Sequence, residues 1–102
     1  MDQKGNVPGG LGAEKPATPE IQALCDMVKC AFEQKSGTNA AEFKAICYAS
    51  QVVAGTMYYV KVDIGGGQCC HLKILQPLPT GGKVSLSDYQ CGKKKEDPIC
   101  YF

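Results

Sequence analysis

The residues of this chain that could do chemistry are few. There is one histidine, His71, and two cysteines, Cys69 and Cys70, directly precede it. A Cys–His pair can make an activated thiolate, provided the base lies within hydrogen-bond reach and a third group orients it. Residues 68–76 read as a strand, and successive strand residues point to opposite faces. Cys70 and His71 then face apart, Cys69 and His71 merely sit side by side, and no orienting group suggests itself. The other cysteines are Cys25, Cys30, Cys47, Cys91 and Cys100. None form the C-x2-C pairs on which zinc sites draw. Cys25 and Cys30 are five apart on a helix, on different faces. Gly65–Gly67 lacks the lysine and the following helix of a phosphate loop. The sequence therefore asks for no metal, no cofactor and no catalytic residue.

Seven cysteines in 102 residues still need an explanation. The count is odd and the first twenty residues contain no apolar stretch of the kind that directs export, so a full disulfide framework is not expected. The expectation is reduced thiols, several serving as small apolar side chains, in a cytoplasmic protein. No apolar run is long enough to span a bilayer. Lysine and arginine total 11 against 10 acidic residues, a net charge of +1, and the Lys93–Lys95 run is offset at once by Glu96 and Asp97. Neither nucleic acid nor a membrane surface is indicated as a partner.

The elements that must position any site follow from the periodicity. The length suits a single domain, residues 1–102, with one modest core. Residues 1–17 read as an extended trunk, rich in Gly and Pro, with no packed element of its own. Thr18–Lys35 reads as a helix: Thr18 caps it, Pro19 fits its first position, and Ile21, Leu24, Val28 and Phe32 form one stripe. Ser36-Gly37 ends it. The period then changes to two. Glu42–Gln51, Thr56–Ile64, Gln68–Gln76 and Lys83 to about Gln90 read as four strands, and the rest as tail. Tyr58, Val60, Val62 and Ile64 share one face with Cys70, Leu72 and Ile74; His71 and Lys73 point outward. Short links between sequential strands imply antiparallel pairing. The fold class is α+β: one N-terminal helix packed on a twisted antiparallel sheet.

Two of the links are odd. Gln51-Val52-Val53-Ala54-Gly55 places β-branched apolar residues where turn residues belong. Gln76-Pro77-Leu78-Pro79 sets a leucine between prolines. Val7-Pro8-Gly9-Gly10 in the trunk adds a third apolar, small-residue stretch. Each alone is compatible with packing back on the core, or with a linker. Together they are informative, because the first and third links of an antiparallel meander lie at the same end. An apolar edge left exposed there marks a binding site, and a row of three narrow tips suits a cleft.

At this point the residues resemble a known family. VPGGLGAEKPATPEIQ, QVVAGTMYYVKV, HLKILQPLP, SDYQ and the terminal YF are similar to the corresponding stretches of the stefins, the type 1 cystatins, over nearly all of the chain. The resemblance implies a cystatin-like fold and reversible, tight-binding inhibition of papain-like cysteine proteases such as papain and cathepsins L, S, H and B. It implies that Val7, Pro8, Gly9 and Gly10, the hairpin Gln51, Val52, Val53, Ala54 and Gly55, and the loop residues Leu78 and Pro79 bind the protease. A glycine at position 9 lets the trunk pass the catalytic centre without a side chain. Met1–Asn6 and the number of cysteines depart from the family pattern.

Two further readings belong to other classes. A thiol-rich redox or metal-buffering protein on the same fold would show low-pKa, reactive cysteines. An assembling protein would open the QVVAG hairpin into a domain-swapped dimer, or link through a disulfide, where the inhibitor acts as a monomer.

Overall fold

The computed structural model describes residues 12–53, 55–77, 82–99 and 102, with the backbone alone at Val53. The helix α1 spans Pro19–Ser36, one residue beyond the expected end. Its start is set as the sequence suggests: Thr18 is extended, and its side-chain oxygen accepts from the Ile21 N–H at 3.2 Å. Gly37 closes it in the left-handed region, φ 71°, its N–H returning to the Glu33 carbonyl at 3.0 Å. A residue with a Cβ would be strained there.

Five antiparallel strands follow the order β1-β2-β3-β4-β5: Lys15–Pro16, Lys44–Val53, Gly55–Gly65, Gln68–Gln76 and Ser85–Lys93. The expected strands are therefore present, with one addition. Part of the trunk is an edge strand, paired to β2 through Lys15↔Tyr48 and Pro16↔Cys47. So short a strand has no periodicity to read. Its proline lacks an N–H, which an edge tolerates.

The stripe of α1 and the inner face of the sheet make one core. Ile21, Leu24, Cys25, Val28 and Phe32 pack with Val60, Val62, Ile64, Cys70, Leu72 and Ile74. Phe32 anchors it, 5.5 Å from the rings of both Phe43 and Tyr89. The helix approaches β2 and β5 more closely than the central β3, so the sheet curls around it. Among the described residues no helix is long and apolar enough to cross a membrane.

The outer face departs from expectation. His71 and Lys61 lie on it, yet they are 1% and 3% exposed. The stretch after β5 is more than a tail: it lies across this face. Lys61 Nζ donates to the Lys95 carbonyl at 2.5 Å, the Lys95 ammonium reaches Asp63 at 3.9 Å, and the Phe102 and Tyr59 rings meet edge to face with centroids 5.4 Å apart. Ile99, Ala49 and Tyr59 form a second, smaller apolar cluster there.

The cysteines also divide. Cys25, Cys30, Cys47 and Cys69 are free, as expected, but Cys70 and Cys91 form a disulfide joining β4 to β5. Between the pairs Cys69↔Lys93 and His71↔Gln90, β5 carries one residue more than β4. This bulge includes Gly92 at φ 76° and brings Cys91 onto Cys70. Alternation alone does not predict the pairing.

Burial pushes the His71 pKa below its ordinary value, helped by the cationic Lys93 and Lys61, against the weaker pull of Glu14 and Asp97. The unfolded chain then takes up the proton first. The stability tied to neutral His71 is fully present above about pH 6.5 and is lost as pH falls below it. Urea midpoints measured from pH 7.5 to pH 5 should fall more steeply for the wild type than for His71→Gln; parallel curves would remove His71 as the cause.

Candidate functional site

The site is built from one end of the sheet. In β2 and β3 the register runs Gln51↔Met57, Val52↔Thr56 and Val53↔Gly55, so the two strands pair as a hairpin up to Val53 and Gly55. Val52 stands there 81% exposed, although its type belongs inside. Gln51 is different. Its side chain is 8% exposed, on the outer face, and its Oε1 accepts from the Tyr59 hydroxyl at 3.5 Å. It holds the hairpin from behind.

The next link starts beside this hairpin. Thr56 pairs with Gln76, which ends β4, and Pro77 follows. Gly55 is where the two links touch. Its φ is +116°, and a Cβ built on it would overlap the Gln76 carbonyl oxygen and lie 2.8 Å from Pro77 Cα. Only glycine satisfies both the dihedral and the close approach.

The trunk reaches the same end. Ala17 N–H donates to the Ile46 carbonyl at 3.1 Å and Gly12 N–H to the Ser50 carbonyl at 2.9 Å. Followed back toward the N-terminus, the chain therefore climbs β2 toward the hairpin and leaves the described structure alongside Ser50. Three chain exits stand in a row, on β1, on the β2–β3 hairpin and on β4. At about 4.8 Å per strand step, the row spans roughly 14 Å.

Of the expected binding residues, Gln51, Val52, Val53 and Gly55 are at this hairpin, Val53 by its backbone only. Val7, Pro8, Gly9, Gly10, Ala54, Leu78 and Pro79 lie outside the described residues. Residues outside the expected binding set also shape the end: Thr56, Gln76 and Pro77 adjoin Gly55 or pair beside it, and Tyr59 supports Gln51.

Nothing described here resembles a reaction centre. Among the described residues no group of three or more His, Cys, Asp or Glu could hold a metal ion. Burial pushes the Cys25 thiol up to about 12, helped by Asp26. Burial likewise raises Cys47 to about 11, with Lys61 opposing and Glu14 adding to it. Cys69 is raised too, by burial and then by Asp63. These thiols are the reverse of reactive.

Residues 9–96 match the family described as cystatin domain. The chain belongs to the cystatin family. Its relatives are of the stefin type. It is 43% identical to cystatin-A of Homo sapiens over 94% of this chain and 99% of that one. It is 44% identical to cystatin-B of Mus musculus, over 92% and 97%. Leukocyte cysteine proteinase inhibitor 1 of Sus scrofa is 42% identical over the whole of both chains. The helix on a five-stranded antiparallel sheet is in keeping with that membership.

Gly55→Ala tests the contact between the two links. The overlap with Gln76 and the positive φ should together destabilise the protein by roughly 1–3 kcal/mol in urea unfolding, without loss of helix signal. An unchanged midpoint would mean that the links do not touch.

Proposed function

We propose that this cystatin is a reversible, tight-binding inhibitor of papain-like cysteine proteases, with papain and cathepsins L, S, H and B as its targets. The observation that carries the reading is the row of three chain exits with Val52 81% exposed at its centre. It is supported by the name of the porcine relative, a cysteine proteinase inhibitor that aligns over its whole length.

The mechanism is obstruction. Val7 and Pro8 occupy non-primed substrate pockets, and Gly9 and Gly10 carry the backbone past the catalytic cysteine of the protease. Val52, Val53, Ala54 and Gly55 enter the cleft as one loop, Leu78 and Pro79 as the next. Gln51 acts from behind, bonded to Tyr59. The hairpin is built before binding, so little entropy is lost on association, and a total contact area of roughly 1,600 Å² suffices for tight binding. The nucleophile belongs to the protease, so this chain needs no catalytic residue and no cofactor. It acts as a monomer in the cytoplasm, a setting that suits Cys25, Cys30, Cys47 and Cys69, free among the described residues, better than it suits the Cys70–Cys91 disulfide. The thiol-redox alternative is disfavoured by the raised Cys25, Cys47 and Cys69.

Titration of active-site-quantified papain, and of cathepsin L, with the protein should bring activity to zero at one equivalent. Val52→Asp places a charge at the tip of the hairpin and should weaken inhibition by about 10-fold or more, with an unchanged unfolding midpoint. Full activity at many equivalents of wild type would reject the reading.

A further inference from the structure

The C-terminal stretch reaches two of the three exits from the outer face. At one, the Phe102 ring makes a T-shaped contact with Tyr59, whose hydroxyl donates to Gln51 of the hairpin. At the other, the contact is Glu14. One carboxylate oxygen, Oε2, accepts from the Ile99 backbone N–H at 2.6 Å, joining residues 85 apart in sequence. The other, Oε1, accepts from the Cys47 thiol of β2 at 3.5 Å. A carboxylate accepting from a backbone N–H is among the stronger hydrogen bonds.

Among the described residues, little else holds this edge. The ladder of β1 is two residues long, and one of them, Pro16, has no N–H to give. The flanking bonds from Gly12 and Ala17 complete it. Glu14 sits between them, two residues from the Gly12 amide, where the chain leaves the described structure. Without Glu14, the Gly12 bond is what remains, among the described residues, to hold the chain to β2 on the N-terminal side of the two-residue ladder.

We propose that Glu14 is a positioning residue. By bridging the edge strand to the C-terminal stretch and to β2, it fixes the direction in which the trunk leaves the sheet, and so how long the trunk stays engaged with a protease. The inference rests on the inhibitory reading above and adds a residue that touches no substrate pocket. The sequence carries no sign of it, because the partner of Glu14 lies at the opposite end of the chain.

The test compares dissociation rates of papain complexes for wild type, Glu14→Ala and Glu14→Gln, each also made on Gly9→Arg, which disables the trunk itself. Glu14→Ala should dissociate about tenfold faster, the loss of one charge-assisted bond, with an association rate within about twofold of wild type. Glu14→Gln keeps an acceptor for the Ile99 N–H and should fall between. On Gly9→Arg the same substitutions should add nothing. An equal loss in both backgrounds would make Glu14 a general stabiliser and overturn the proposal, as would no loss at all. Hydrogen exchange on the free protein separates this from the inhibitory reading. The Gly12 amide should exchange about tenfold faster in Glu14→Ala. If wild type fails to inhibit papain, the inhibitory reading falls, and the Gly12 exchange alone then decides whether Glu14 directs the trunk: faster exchange upholds it, unchanged exchange overturns it.

Discussion

An 18-residue helix with a single apolar stripe has to bury that stripe, and the inner face of the sheet is what covers it. Much else follows from this pairing. To cover a cylinder, the strands beside the centre must come round it, which is why β2 and β5 approach the helix more closely than β3 does. The core holds the strands in sequence order, and sequence order puts the first and third links of the meander at one end. The trunk joins them there because it runs antiparallel to β2, its nearest neighbour. The exposed end is thus held by packing that lies well away from it, and the valine at its tip can stay in water without weakening that packing.

The outer face plays a second, quieter part. A sheet of this kind usually leaves one face to solvent. Here the chain turns back over it, and His71, Lys61, Cys69 and Gln51 become buried polar or titratable groups. Most find partners within that layer: Lys61 at the Lys95 carbonyl, Gln51 at the Tyr59 hydroxyl. His71 Nε2 is the exception, buried with no hydrogen-bond partner among the described residues. The same burial raises the Cys47 and Cys69 thiols and lowers the histidine, disfavouring the charged form of each.

Local signals were legible, and non-local ones were not. Thr18, Pro19 and Gly37 mark the helix because caps depend on residues a turn apart. Gln68–Gln76 carries the expected bounds because alternation within a strand is local too. The hairpin at Gln51–Gly55 could be found from valines in a place for turn residues. By contrast, Lys15–Pro16 pairs with residues some thirty positions on. The Cys70–Cys91 bond depends on a one-residue offset in β5, and Glu14 meets Ile99 across nearly the whole chain. Gln51 belongs to the hairpin segment by sequence, but that its side chain is buried on the outer face against Tyr59 is not legible there. Each of these is decided by what folds against the residue, which no window of sequence contains.

The edge strand has one more consequence. β2 is ten residues long, and among the described residues 12–17 cover its free edge. A proteolytic nick that freed this short segment would leave a row of unpaired N–H and C=O groups on a strand rich in β-formers. Such an edge is a template for any other extended chain, including a second molecule of the same kind. The segment that leads into the trunk therefore also covers an edge that would otherwise be open to pairing.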